Sequence, residues 1–265
     1  MIEATLISHF YNEEMLLPYW IKHHSQIFDH AILINHGSTD RSCDIIKKMA
    51  PEWDVIDSSL KEFDALLTDF EVEKVEEKIN GWKVCLNTTE FLVGSLKEVI
   101  SKYSSLGIKS IYPRAMVMVD NEPGTQLDPK LSLLKQKPFG IPDNILYNFL
   151  IRGMRLDQLA KGICKPSWRH VGRSRLIHCN RIGGYNIGRH GWIHQAVPID
   201  ELTICWFGFS PWNEDNIHRK LEIQKKLPKA TMKWGSHHKT SQRDLQRQYG
   251  KHKLIYKILG HNIDI

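Results

Sequence analysis

The sequence lacks any long run of apolar residues. No segment approaches the roughly 18 to 20 apolar residues that are needed to span a bilayer. The first residues also lack the charged stretch followed by an apolar stretch that is typical of an export signal. These two absences predict a cytoplasmic protein.

Cysteine is scarce. The five cysteines are odd in number and widely spaced, and none forms a Cys-x-x-Cys pair: Cys43, Cys85, Cys164, Cys179 and Cys205. This pattern argues against a zinc ribbon and against a disulfide framework. We expect reduced thiols, most of them buried.

The charge of the chain is unevenly distributed. The 265 residues suit one sizeable domain, or a domain with a C-terminal extension, and carry a net charge of +6. Residues 219–257 contain 12 Lys and Arg and 2 acidic residues, a net of +10, whereas the rest contains 24 basic and 28 acidic residues, a net of −4. Because no nucleic-acid-binding motif accompanies the charge, we predict no nucleic-acid partner.

The basic C-terminal segment has two interpretations. A cationic helix with apolar residues such as Leu245, Tyr249 and Leu254 could lie on an anionic membrane surface, which would give peripheral membrane contact through residues 219–257. The same helix could instead pack against the preceding domain and expose its charges to water. The composition leaves both open.

Strand and helix patterns alternate along the first third of the chain. The predicted strands are Ala4–Phe10, Ala31–Asn35 and Val55–Ile56, and the predicted helices cover about residues 15–26, 43–49 and 63–80. This alternation predicts an α/β protein with a mostly parallel central sheet flanked by helices.

Polar residues follow a further predicted strand, at the start of Trp82–Phe91, and the strand Ala31–Asn35. The apolar residues of Trp82–Phe91 give way to Asn87, Thr88, Thr89 and Glu90. Ligands of open α/β sheets bind at the carboxyl ends of strands, where such side chains suit a metal or a phosphate. An ordinary strand followed by a helix cap fits the pattern as well. After Asn35, the loop to Asp40 offers capping side chains and N–H groups to an anion or a ribose, so Asp40 is either a helix cap or a ligand contact.

The sequence resembles the family 2 glycosyltransferases. The similarity covers roughly residues 4–95 and depends on five motifs in register: His9-Phe10-Tyr11-Asn12-Glu13-Glu14, Trp20-x-x-His23-His24, Asn35-His36-Gly37-Ser38-Thr39-Asp40, Phe63-Asp64-Ala65 and Trp82 followed by Asn87-Thr88-Thr89-Glu90-Phe91. The resemblance implies an A-type glycosyltransferase fold with a Rossmann-like half, inversion at the anomeric carbon, and assistance by Mn²⁺ or Mg²⁺.

The resemblance also implies a division of labour along the chain. Residues 1–212 would form the catalytic domain, with a nucleotide-sugar half (1–95) and an acceptor half (96–212), followed by a basic helical extension (213–265). The donor, possibly UDP-linked, would contact Phe10, Asn12, Glu13, Asn35, Ser38, Asp40, Asp64 and Lys220. The metal ligands would be Asn87, Thr89, Glu90 and the late His190 of Gly188-Arg189-His190-Gly191.

Two departures from the family pattern affect the chemistry. Asn87 and Thr89 stand where the family has paired aspartates, so Glu90 is the one carboxylate left in the motif. Three outcomes remain open: a weakened metal site, metal-free catalysis with basic residues on the diphosphate, or lost activity. Asn35-His36 replaces one or two aspartates, although the Asn35 amide could still bond a uracil-like base edge.

The acceptor half yields fewer predictions. Asp120 and Glu122, after the predicted strand at Ser110–Asp120, are candidate bases for the acceptor hydroxyl, or else part of a solvated turn. The aromatic stretch Trp206–Trp212 is either a sugar platform or core. We therefore expect an inverting glycosyltransferase that acts on a polysaccharide or lipid-linked glycan. The alternative is an inactive nucleotide- or glycan-binding protein with the same fold.

Overall fold

The computed structural model describes residues 3–144, 172–228 and 238–262. The sequence also predicts a helix over 144–161, and it is rich in cationic residues from Cys164 to His194. Most of that helix, the first part of that stretch and His237 lie outside the described residues. Among the described cysteines, Cys85 and Cys205 are buried free thiols, and Cys43 and Cys179 are half-buried free thiols.

Strands and helices alternate in the first half of the chain. The strands are β1 (Ala4–Phe10), β2 (His30–Asn35), β3 (Asp54–Asp57), β4 (Trp82–Cys85), β5 (Glu90–Val93), β6 (Ser110–Val119), β7 (Phe139–Pro142), β8 (Ile177–His178), β9 (Val197–Phe209) and β10 (His261–Asn262). The helices are α1 (Leu17–His24), α2 (Ser42–Met49), α3 (Ala65–Glu76), α4 (Leu96–Ser105), α5 (Leu133–Gln136), α6 (Glu214–Glu222) and α7 (Gln242–Leu259), with a 3₁₀ turn at Ile223–Lys226.

The described strands form one curled sheet in the order β10-β7-β6-β8-β4-β1-β2-β3, and β9 pairs with β5 and β6. Strands β3, β2, β1 and β4 are all parallel, with Phe10 opposite Asn35 and Asn35 opposite Asp57. Their carboxyl ends therefore lie at one edge. The other half of the sheet is mixed, because β5, β7 and β8 pair antiparallel with their neighbours.

Both faces of the parallel strands are covered by helices. On one face, Phe10 and Leu33 belong to a core cluster with Trp20 of α1 and Ile46 of α2. On the other face, the side chains of β1, β2 and β4 meet Val72 of α3. Each large apolar side chain buried in this way contributes about 1.5–3 kcal/mol. The expected α/β class, with a central sheet flanked by helices, is confirmed.

The segment Trp82–Phe91, which was predicted as one strand with a polar end, contains one strand and the start of a second. Strand β4 ends at Cys85, and after a short turn the chain re-enters the sheet at Glu90 as β5. Strand β5 pairs with β9. Sequence patterns did not predict β9, because the last residues of β9 are buried on both faces of the strand and show no alternation. The polar motif is thus covered by a later strand instead of standing open at a strand end.

The C-terminal helix α7 packs against the sheet. It begins with a capping box between Ser241 and Asp244. Its Leu245, Tyr249 and Ile255 are buried in a cluster with residues of β6, β7 and β9. The packing interpretation therefore holds for this helix. Within the described ranges, no helix is long and apolar enough to cross a membrane.

Candidate active site

Two loops interlock at the carboxyl edge of the parallel strands. Asn12, directly after β1, has a positive φ of 49°, a left-handed conformation that asparagine tolerates better than most residues. Its Oδ1 accepts a hydrogen bond from the N–H of Thr39 at 2.8 Å, and its own N–H donates to Ser38 Oγ at 3.1 Å. The loops after β1 and β2 are therefore held together through Asn12, by its side chain and by its backbone N–H.

A cleft of about 530 Å³ opens beside these loops. Its walls include Asn12, Glu14, Tyr19 and Asp40 from the first forty residues and Arg219 and Glu222 from α6. Asp40 is itself fixed, since its Oδ2 accepts from the N–H of Glu14 at 3.0 Å. Helix α6 closes the cleft because Asn12 Nδ2 donates to Glu222 Oε2 at 3.2 Å.

Helix α6 also binds the residue after Asn12. The Arg219 guanidinium donates to both carboxylate oxygens of Glu13, at 2.8 and 3.1 Å. Both side chains are largely buried, so the pair is shielded from solvent. It fixes the N-terminal half of the site to the C-terminal part of the chain.

Apart from Glu13, which is bound to Arg219, and Lys220, the predicted donor contacts divide into two groups. Asn12, Ser38 and Asp40 meet at the cleft or its rim. Asn35 lies at the same edge, where its amide binds Asp57 at 3.0 Å and the N–H of Ser38 at 2.8 Å. The other group does not reach the cleft: Phe10 is a buried core residue because its side chain points toward α1, and Asp64 caps α3 by accepting from the N–H groups of Leu66 and Leu67.

The carboxylate of the metal motif is occupied by an arginine. Glu90 is fully buried, and Arg175 binds it in a bidentate manner, at 3.0 Å from Nε and 2.5 Å from the second guanidinium nitrogen. Asn87 also donates to Glu90 through its backbone N–H at 2.8 Å and its side-chain amide at 3.2 Å. Both oxygens of Glu90 are therefore engaged.

A second arginine occupies the amide of the motif. Arg189 bridges Asp69 of α3 and Asn87, whose Oδ1 accepts at 2.8 Å. The ring of His190 lies beside Arg175, with 3.3 Å between Nδ1 and a guanidinium nitrogen. Burial of the ring and the cations of Arg175 and Arg173 lower the pKa of His190 to about 3, so the ring is neutral.

These residues do not fit the expected Mn²⁺ or Mg²⁺ site of Asn87, Thr89, Glu90 and His190. A hard cation prefers several free oxygen ligands, but the oxygens of Glu90 and Asn87 are already bound to guanidinium groups. A dication would also lie next to two buried positive charges. Across the described residues, no group of three or more His, Cys, Asp and Glu side chains could hold a metal ion.

Two further cations lie on the indole of Trp206. In the antiparallel pair of β5 and β9, Trp206 is directly opposite Glu90. The guanidinium carbon of Arg173 lies 3.7 Å from the ring centroid, and Lys220 Nζ lies 5.6 Å from it and 4.3 Å from that of Phe209. The predicted aromatic stretch is therefore largely core, with one tryptophan that carries cations.

The ammonium of Lys220 is in an unfavourable position for a charge. Burial, followed by the cations of Arg219 and Arg173, lowers its pKa to about 7, and Glu13 opposes the shift. His252 of α7 also lies near Lys220, and burial together with Arg173 and Lys220 lowers its pKa to about 4. At neutral pH, Lys220 thus exchanges between its charged and neutral forms.

Of the two candidate bases, Asp120 does not fit the role. Its carboxylate is fully buried and accepts from Lys137 Nζ at 2.8 Å and from the N–H groups of Glu122 at 3.0 Å and Trp212 at 2.7 Å. Such a group stabilises the loop and cannot approach an acceptor. Glu122 is exposed in that loop.

Sequence patterns carry only weak signals for the residues that dominate the site. Arg173, Arg175 and Arg189 belong to a stretch of the sequence that is rich in cationic residues, but composition alone assigns them no role. Asp69 and Arg219 were not predicted to take part. Arg219 and Glu13 are 206 residues apart in the sequence, and Arg175 and Glu90 are 85 residues apart. Only the fold therefore identifies these pairs.

No protein-family model and no curated protein matches the chain. Among solved structures, S. aureus TarS is 9% identical with a TM-score of 0.41, and the match covers 95% of this chain and 43% of that one. Glucosyl-3-phosphoglycerate synthase from Mycobacterium tuberculosis, solved with Mn²⁺, UDP and glucosyl-3-phosphoglycerate, is 14% identical with a TM-score of 0.32 over 44% of each chain. The matches thus span less than half the length of those proteins, and similarities of this size do not by themselves assign a family or an activity.

Proposed function

We propose that this chain is an inverting glycosyltransferase that moves a sugar from a nucleoside-diphosphate donor to a glycan or lipid-linked glycan. The supporting observation is that Asn12, Ser38 and Asp40, from two motifs of the resemblance, meet beside one cleft at the carboxyl edge of parallel strands. This edge is where open α/β sheets bind their ligands. The cleft is large enough for a small organic ligand.

In this proposal, the nucleoside lies along the interlocked loops. Ser38, Asp40 and the amide of Asn35 offer donors and acceptors to the ribose and the base. The donor's diphosphate points toward the basic end of α6. Residues 1–95 bind the donor, residues 96–212 shape the acceptor site, and the C-terminal extension supplies Lys220 from α6, which contacts Glu13 through Arg219.

The reaction is a single displacement. The acceptor oxygen forms a bond to the anomeric carbon while the bond from that carbon to the diphosphate oxygen breaks, and the nucleoside diphosphate leaves with the bonding electrons. The acceptor proton passes to Glu122, which is exposed in the loop that Asp120 holds. Fixed cations stabilise the negative charge that develops on the diphosphate.

A panel of nucleotide-sugars tests this function. Melting temperatures measured with UDP-, GDP-, ADP- and TDP-linked sugars should rise for the true donor, because a ligand that binds only the native state stabilises it. The same donor should then be hydrolysed slowly to its nucleoside diphosphate, and Glu122→Gln should reduce that rate with little change in binding. If no member of the panel changes the melting temperature, the proposal is wrong.

The second candidate is an inactive binding protein that keeps the same architecture. The observation in its favour is that the single carboxylate of the metal motif is buried and bound to Arg175. This candidate predicts that a nucleotide-sugar binds and protects the fold but is neither hydrolysed nor transferred under any metal condition.

A further inference from the structure

We propose that Arg173 and Lys220, on the indole of Trp206, form the diphosphate-binding site and that donor binding needs no divalent metal. This inference rests on the function proposed above and specifies how the anionic part of the donor is held. It departs from the metal dependence that the resemblance implies.

The first argument is that these two cations lack partners. Other buried cations of the site have a carboxylate: Arg175 binds Glu90, Arg189 binds Asp69 and Arg219 binds Glu13. Within the described ranges, no salt bridge joins a carboxylate to the guanidinium of Arg173 or to the ammonium of Lys220, and both side chains are only partly exposed. Asp143 lies beside Arg173, but its Oδ2 accepts from the backbone N–H of Arg173, at 2.9 Å, and not from the guanidinium.

A half-buried cation without a counter-ion opposes folding, and two of them side by side oppose it more. Removing them to the surface would be the simple solution for a purely structural protein. Their retention against one indole ring indicates that a ligand supplies the missing negative charge.

The second argument is the geometry of the pair. Arg173 stacks on the indole, whereas Lys220 approaches it from α6 and lies nearer to Phe209. A planar guanidinium binds two phosphate oxygens at once, and an ammonium adds a point charge. Two neighbouring cations of these kinds match a group that carries two linked phosphates.

The third argument is the location. Lys220 follows Arg219, which is bound to Glu13 of the loop that forms the cleft. Trp206 lies opposite Glu90, the residue that would hold a metal in the expected arrangement. The cation pair is therefore next to the position where a metal would neutralise the diphosphate, and the former ligands are bound to Arg175 and Arg189 instead.

Calorimetric titrations in EDTA and in Mn²⁺ test the inference. The probes are UDP, GDP, ADP, TDP and inorganic pyrophosphate. We expect at least one nucleotide to bind in EDTA with a dissociation constant within about threefold of its value in Mn²⁺. Arg173→Gln and Lys220→Gln should each raise the dissociation constant of that nucleotide by about tenfold or more, because each removes one charged hydrogen-bond donor. Lys220→Arg, which keeps the charge, should restore most of the affinity.

Matched controls separate local effects from net charge. Arg243→Gln and Lys251→Gln remove exposed cations of α7 and should leave the affinity unchanged. Circular dichroism and melting temperature show whether each variant is folded, and only folded variants are compared.

The outcomes distinguish this inference from the function it rests on. Nucleotide binding that appears only with Mn²⁺ would overturn the metal-free site and leave the glycosyltransferase proposal intact. Metal-free binding that neither variant weakens would overturn the assignment to Arg173 and Lys220. Pyrophosphate binding as tightly as every nucleotide would mean a general phosphate site. No binding of any nucleotide under either condition would overturn the proposed function itself.

Discussion

Breaking the pair of Glu90 and Arg175 should strongly destabilise the protein. Both side chains are at most 2% exposed, and two hydrogen bonds of 2.5 and 3.0 Å join them. Removing one partner of such a pair leaves a buried charge without compensation and costs about 3–5 kcal/mol. Because a whole domain is stable by only about 5–15 kcal/mol, Arg175→Met should lose a large part of the free energy of unfolding.

The measurement is a double-mutant cycle with Glu90→Gln, Arg175→Met and the double variant. Urea unfolding can be followed by the fluorescence of the eight tryptophans. The double variant should be more stable than the sum of the single losses predicts, with a coupling of at least about 2 kcal/mol, because neither partner is then left charged and unpaired. An exposed pair provides the control: Lys102→Met removes the partner of Glu201 and should cost less than about 1 kcal/mol.

Two results would refute this reasoning. One is a loss below about 1 kcal/mol for Arg175→Met, which is the value of a surface pair. The other is strict additivity in the cycle, which would mean that the two groups do not interact in the native state.

Three further predictions concern affinity and stability. The affinity for the nucleoside diphosphate should fall as pH rises through about 7, because the protonated form of Lys220 binds the anion. Lys220→Arg should flatten this pH dependence. Titration calorimetry from pH 6 to 8.5 measures the affinity, and an affinity that rises with pH would contradict the prediction. Leu245→Ala should lower the free energy of unfolding by about 2–5 kcal/mol, because its side chain is buried. Leu254→Ala, at an exposed position of the same helix, should lower it by less than about 0.5 kcal/mol. Equal losses of stability in urea unfolding would argue against docking of α7. Gly94→Ala should lower the free energy of unfolding by more than about 1 kcal/mol, since φ is +116° and the added Cβ would lie 2.5 Å from the carbonyl oxygen of Glu201. Gly250→Ala, with open space around it in α7, should instead raise the melting temperature. A Gly94→Ala variant of unchanged stability would be inconsistent with this backbone.

The N-terminal half of the fold was predictable because its signals are local. Strand β1 has the predicted bounds, Ala4–Phe10, and β2 begins one residue earlier than predicted. Both strands are apolar runs that end in polar loops, and loops of this kind at neighbouring parallel strands must lie at the same edge. The meeting of Asn12 with Ser38 follows from that rule alone.

The rest of the site was not predictable because it depends on distant pairing. Glu90 in the sequence is a carboxylate in a metal motif, and only the return of Arg175 along the fold makes it a buried ion-pair partner. Phe10 belongs to a binding motif by its neighbours, but the alternation of strand β1 directs its side chain into the core. The loop carboxylate Asp120 is likewise explained by Lys137, which no periodicity connects to it.

The contact between Glu13 and Arg219 joins residues that are 206 positions apart. During synthesis, the first loop of the cleft therefore emerges from the ribosome long before the helix that closes it. A chain that stops at residue 212 would keep most of the sheet but would lack α6. Glu13 would then lose its contact with Arg219, and Trp206 would lose its contact with Lys220. Binding or catalysis measured with such a fragment would concern an incomplete site, because helix α6 forms part of the cleft wall.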